Sequence, residues 1–363
     1  MSEDQQDKPV VTRQVLNKTI LPFTTPSRGK ALWQIINTVV PYCALWALAI
    51  LGFKNDYPLW ACFIPVLIAG PFLVRIFIIF HDCCHSSYFK SKWVNSLAGY
   101  ITGILTSTPY TDWGQAHISH HATAGNLDKR GVGDIWTLTV EEYISAPKLK
   151  RITYRIFRHP LFMFGVGPSY VFLVFHRFSQ KNILHKGRLS VYLPNLALLL
   201  LFLLAGATIG YKTYLLIQIP ITIIAATLGI WLFYVQHQYE EVYWARNDVR
   251  DSLKAALEGS SYYKLPKIAQ WFSGNIGLHH IHHLNPSIPN YNLQACHDEI
   301  QKLQHIEPLG VRKSFKSLFI HLWDEDTKKL ISFKAMNLIL VEHLLEHKTI
   351  TPRSNSNQML TSL

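Results

Sequence analysis

The sequence predicts an all-α integral membrane protein: about four transmembrane helices in two hairpins, with interfacial helices and a helical cytoplasmic cap that holds a histidine-ligated metal site. Three observations predict it. Hydrophobic residues make up 49% of the 363, and they are gathered in long blocks. The basic residues lie between those blocks, on one side. Three clusters of histidine stand at the polar edges of the blocks.

Residues 1–30 are polar and carry no signal-peptide core, so they read as a cytoplasmic N-terminal segment. Blocks 31–53, 57–80, 193–210 and 213–235 are apolar. A helix needs roughly 20 apolar residues to cross a bilayer, so these are the expected spans. Stretches 95–110 and 161–178 are shorter or more interrupted. Gly165, Gly167 and Pro168 weaken the second as a straight helix. Segment 309–333 alternates apolar and charged residues in helix-like fashion and is expected to pack on the cap. Residues 31–348 read as one domain, and 349–363 as a disordered tail.

The formal net charge is +12. With four crossings and the N-terminus inside, the outer turns hold only Lys54 and Lys212, and Arg75 lies within a span. Every other one of the 35 Lys and Arg then falls inside, with Arg177, Lys181, Lys186 and Arg188 in one short basic segment. That is the positive-inside pattern. It argues against a nucleic-acid role and favours anionic lipid and acidic protein partners. The five cysteines (Cys43, Cys62, Cys83, Cys84 and Cys296) show no paired extracellular spacing, which fits a reducing compartment.

The histidine clusters are His81 and His85; His117, His120 and His121; and His279, His282 and His283, with His280 as a spare. Spacings of three and four put imidazoles on one helix face. Eight are too many for one tetrahedral zinc site, so two metal ions are the simplest reading. His237 directly follows the last span and is a ninth candidate. Cys83 and Cys84 read as packing residues. His159, His176, His185, His305, His321, His343 and His347 are scattered and read as ordinary surface or packing residues. Excess imidazole without a Glu-x-x-His motif suggests a non-haem di-iron centre. One centre requires all clusters on one membrane face. Stretches 95–110 and 161–178 should therefore not cross, although six spans is the open alternative.

Carboxylates can fix the tautomer of a ligand imidazole. Asp82, Asp112, Asp128 and Asp134 lie near the clusters, with Asp82 and Asp112 the foremost candidates. Arg75 is six residues before His81, roughly 9 Å along a helix. It is expected to snorkel, the alternative being contact with a lipid phosphate. Trp113, Trp136, Tyr234 and Trp271 are the candidates to line a substrate channel.

His-x3-His, His-x2-His-His and His-x2-His-His, in this order between paired spans, resemble the membrane fatty-acid desaturases. FHDCCHSSYFKSKWVN, HISHHATAGNLDKRGVGDIW, WLFYVQHQYEEVYW and GSSYYKLPKIAQWFSGNIGLHHIHHLNPSIPNYNL are similar to bacterial acyl-lipid desaturases, above all the bacillus-type delta-5 enzymes acting on membrane phospholipid. The resemblance covers residues 36–333. It implies two iron ions held by the eight cluster histidines and His237, with molecular oxygen as oxidant. It implies a cis double bond placed in a saturated acyl chain, and a soluble ferredoxin or flavodoxin as electron donor. It implies a multi-pass protein of the plasma membrane with its site on the cytoplasmic side. Relatives hold an iron-bound water with an asparagine one turn before the added histidine. Phe233 stands there in this chain, leaving Asn275 or Gln236 to substitute. A related di-iron lipid hydroxylase, a membrane zinc hydrolase and a metal transporter or sensor are the competing readings.

Overall fold

The computed structural model describes residues 13–131, 133–178 and 185–350. Among the described residues, four helices are long and apolar enough to cross a membrane: Arg28–Lys54, Leu59–Cys84, His185–Thr208 and Tyr211–His237. They pair as two hairpins. The second and fourth run for 26 and 27 residues, or about 40 Å at 1.5 Å per residue. That exceeds a hydrocarbon core of about 30 Å, so roughly two turns of each are left for polar surroundings. Those extra turns carry His81 and His237.

The second helix is the centre of the bundle and packs on the first and fourth. Val66, Ala69, Leu73 and Ile76 bury against Ile217 and Ile221. Gly70 permits the closest approach, because a Cβ there would lie 2.4 Å from Ile224 Cγ2. The outer faces expose Trp33, Leu48, Leu196, Leu199 and Leu204. Such broad apolar surface suits lipid rather than water.

The stretch 95–110 forms the helix Lys92–Leu105, capped by the Ser91 hydroxyl. Its 14 residues reach only about 21 Å, too short to cross. A turn then leads into the helix Tyr110–Thr123. The stretch 161–178 breaks into a π-helical turn Phe162–Val166, a helix Gly167–Leu173 and a 3-10 turn Phe175–Arg177. None of these pieces spans either. The second and fourth helices therefore deliver their histidines to the same end of the bundle.

A polar cap closes over that end. Its helix His279–Leu284 is fully buried. Ile281 and Leu284 pack with Ile288, Leu293, Leu16 and Ile20. The last two belong to the helix Arg13–Ile20, so part of the N-terminal segment docks on the cap. Segment 309–333 is a correction to the helix-like reading. After short turns at Val311–Ser314 and Phe315–Phe319 it forms an antiparallel hairpin, Leu322–Asp324 with Lys329–Ile331, and Leu138–Thr139 adds in parallel. The Asp324 carboxylate accepts from Asp326 N and Thr327 Oγ1 and turns the chain. That local bonding overrides the periodicity. Of the expected tail 349–363, residues 351–363 lie outside the described residues, as do 1–12 and Lys181; the last helix runs Phe333–Ile350.

Candidate metal centre

Each cluster sits where a helix leaves apolar surroundings. His81 is in the last turn of the second membrane helix and His85 is its C-terminal cap residue. His117, His120 and His121 line the end of Tyr110–Thr123, and His237 ends the fourth membrane helix. His279, His282 and His283 come from the buried cap helix. The fold sorts these nine into two groups, each able to hold a metal ion: His81, His85, His117, His121 and His282; and His120, His237, His279 and His283. Within a group the donor atoms all lie within 4.8 Å of one another.

The spacings test whether metal fits. In the first group Nε2 of His117 is 2.9 Å from that of His81 and 3.1 Å from that of His121, which is 3.0 Å from His282. In the second, Nε2 of His237 is 3.2 Å from His120 and 3.0 Å from His279, which is 3.1 Å from His283. A neutral imidazole has one N–H, so these nitrogens cannot all hydrogen-bond one another. Metal–imidazole bonds of about 2.1 Å at right angles to each other put neighbouring nitrogens about 3.0 Å apart. The donor set thus fits two metal ions with near-90° ligand angles better than tetrahedral zinc. Nε2 of His85 is buried with no hydrogen-bond partner among the described residues, as a metal ligand would be.

Burial, reinforced by the neighbouring imidazoles, holds His85, His117, His121, His279, His282 and His283 well below the ordinary histidine pKa. They are neutral at pH 7, the form that binds metal. Outer partners orient three rings. Nδ1 of His81 donates to Asp82 Oδ1 at 3.0 Å, Nδ1 of His120 to Asp134 Oδ1, and Nδ1 of His237 to the Gly259 carbonyl at 3.0 Å. Each bond keeps the proton on Nδ1 and leaves the Nε2 lone pair facing the group. His280 belongs to neither group. It is fully buried against Tyr262 and His297.

The other singled-out residues separate by position. Asp112 makes no hydrogen bond to any of the nine histidines among the described residues; its carboxylate faces the cavity described below, and burial raises it to about 6. Asp128 binds Arg246 and the Asn247 backbone. Asn275 adopts a positive φ of 60° and donates to the Asn290 carbonyl. Gln236 donates to the Ile276 carbonyl. Phe233 packs its ring 5.2 Å from both His120 and His237. Arg75 does not snorkel. It is buried, bonded to Thr38 Oγ1 and the Trp271 carbonyl, with its guanidinium 4.0 Å over the Trp271 ring. These partners on two other helices meet its charge where it is buried. All five cysteines are free.

A cavity of about 710 Å³ opens against His81, His117 and His279. It follows the second membrane helix to Leu73 and the fourth to Thr222, about 21 Å along the latter from Gln236. Phe77, Ala226, Gly229 and Phe233 make its wall apolar. Of the four aromatic channel candidates, Trp113 lines it, stacked on His117 with ring centroids 4.6 Å apart. Trp136 instead packs on Tyr154 and Phe157. Tyr234 bonds the Ser317 carbonyl and receives Arg158. Trp271 lies under Arg75. Nothing in the sequence singles out Asn290, which bonds Asp82, and His176, which reads there as an ordinary histidine, lies on the cavity wall.

Comparison with known proteins agrees with this arrangement. The family model described as fatty acid desaturase matches residues 58–311. Over 326 residues the chain is 45% identical to a fatty acid desaturase of Bacillus subtilis (strain 168), spanning 90% of this chain and 92% of that one. It is 25% identical over 309 residues to an sn-1 oleoyl-lipid 12-desaturase of Synechocystis, covering 82% and 84% of the two chains. It is 26% identical over 287 residues to an sn-1 acyl-lipid omega-3 desaturase (ferredoxin) of Nostoc, covering 76% of each.

Proposed function

The chain belongs to the fatty acid desaturase family, and on that premise we propose that it desaturates acyl chains of intact membrane phospholipid, at the delta-5 position, using oxygen and two electrons from a soluble ferredoxin or flavodoxin. One observation carries the reading: the two histidine groups stand at one end of a long apolar cavity within the membrane bundle. Two iron ions bound by the nine histidines would supply oxidation of an unactivated C–H bond. Overall, a –CH2–CH2– unit loses two hydrogens, and with two electrons and two protons dioxygen becomes two waters.

The chain's own residues bind and orient. The walls at Phe77, Trp113 and Phe233 hold an acyl chain and exclude water, so that one carbon pair faces the histidines. Asp82, Asp134 and the Gly259 carbonyl keep three ligand rings in one tautomer. The delta-5 assignment is supported by the likeness of the histidine boxes and their flanks to that type. A ferredoxin donor is supported by the name of the Nostoc relative. The exposed Lys148, Lys150 and Arg151 on the cap suit an acidic partner. The basic loops favour a plasma-membrane protein with the cap in the cytoplasm.

Expression in a bacterium without desaturases, followed by mass spectrometry of double-bond positions, tests the reading. Wild type should give delta-5 monounsaturated phospholipid and His120→Ala should give none. An alcohol product would turn the assignment to a hydroxylase, and activity without oxygen to a zinc hydrolase.

A further inference from the structure

Away from the nine clustered histidines, the cavity wall carries two buried polar atoms with no hydrogen-bond partner among the described residues: Oδ1 of Asp112 and Nδ1 of His176. Both side chains line the cavity and are more than nine-tenths buried, with exposures of 8% and 7%. Unpaired buried polar groups are costly and uncommon. Two on one cavity wall point to a ligand that pairs with them.

Their positions are fixed by neighbours. Asp112 lies in the first turn of Tyr110–Thr123, and its backbone N–H donates to Ser190 Oγ. It is five residues before His117, about 7.5 Å along the helix. His176 sits in the turn Phe175–Arg177 with its ring 5.1 Å from Phe172. Arg177 pins that turn through Asn195 Oδ1 and the Ser107 carbonyl.

The chemistry of the pair selects its ligand. Nδ1 of His176 is buried with no hydrogen-bond partner among the described residues; with the ring's one proton on Nε2 it presents a bare lone pair. A carboxylate oxygen also accepts. Two acceptors call for a donor. An acyl chain and its ester carbonyl offer none, whereas an ammonium or a hydroxyl does.

We propose that Asp112 and His176 form a seat for the hydrogen-bond-donating headgroup of the substrate phospholipid, an ammonium or a hydroxyl. This rests on the acyl-lipid reading above. It places the polar end of the lipid beside the cavity, within two helical turns of the histidines.

The test uses the purified full chain, iron-loaded, with three phospholipids of identical saturated chains. Phosphatidylethanolamine offers an ammonium, phosphatidylglycerol offers hydroxyls, and phosphatidylcholine offers no donor. Retention of each lipid is read by native mass spectrometry and conversion by product analysis. Wild type should favour one or both donor lipids over phosphatidylcholine by about fivefold, the scale of a hydrogen bond. Which lipid is favoured separates ammonium from hydroxyl. Asp112→Leu and His176→Phe should each bring the ratio toward one, and His176→Gln, which keeps an acceptor, should restore part of it. If one variant fails to fold, the other reads the same ratio. Equal handling of the three lipids by wild type overturns the seat, as does a preference that survives both variants. If wild type converts no lipid, the acyl-lipid reading fails, and retention still decides the headgroup preference.

Discussion

Asp82 couples His81 to Asn290. Its Oδ1 accepts from Nδ1 of His81 at 3.0 Å, and its Oδ2 accepts from Asn290 N at 2.6 Å and Nδ2 at 2.8 Å. Asn290 Oδ1 in turn accepts from Gln34 Nε2 at 2.8 Å. The first membrane helix is thus tied to a candidate ligand through buried hydrogen bonds. Asp82→Asn is expected to lower iron affinity by about 10–100-fold, the usual range for an outer partner of a metal ligand. Asn290→Ala should act in the same direction, because Asp82 then loses an orienting donor. Iron per protein by elemental analysis measures both, and full occupancy in Asp82→Asn sinks the idea.

His280 and His282 are two residues apart with different tasks. His282 Nε2 faces His121, while the fully buried His280 ring packs against Tyr262 and His297. His282→Ala should lose metal. His280→Phe should keep it. Loss of iron in His280→Phe would falsify the division between them.

The spans and the histidine clusters were legible because each is local: a run of apolar residues, or imidazoles at helical spacing. Parity then argued that 95–110 and 161–178 do not cross, and the short helices there agree. What the sequence did not disclose depends on contacts between distant elements. Asn290 meets Asp82 across 208 residues. Arg75 is satisfied by Thr38 and Trp271 on two other elements, so its charge has no need to snorkel. Trp136 and Tyr234 look like channel residues by type and nearness. Yet Tyr234 is turned toward Arg158, which also binds Gln238 and the Ile320 carbonyl. Side-chain direction at such places is set by packing, which periodicity does not encode.

Acid sensitivity follows from the depressed histidines. Burial holds His85, His117, His121, His279, His282 and His283 well below 6.5 in the folded chain. The unfolded chain binds more protons than the folded one below that pH, so metal-free protein should lose stability as pH falls from about 6.5. Above it, this contribution is complete and flat. Protons should compete with metal only well below the same value, so bound iron should survive dialysis at about pH 6, where free imidazole is mostly charged. Thermal midpoints of metal-free protein across this range, and iron content after dialysis, check the two halves. A midpoint that rises on acidification contradicts the sign.

Gly229 offers a direct probe of the cavity. It lies on the fourth membrane helix, eight residues before His237 and about 12 Å from it along the axis. It lines the cavity, and a Cβ added there meets no heavy atom within 4 Å. Gly229→Leu should therefore fold, replacing a residue of poor helix propensity, and project its side chain into the cavity. If the acyl chain runs past this point, the variant should turn over long saturated chains several-fold more slowly than shorter ones. It should keep its full iron content, since the histidines are untouched. Product profiles for a series of chain lengths, wild type against variant, provide the measurement. An unchanged profile would mean that the acyl chain does not extend along the fourth helix to Gly229.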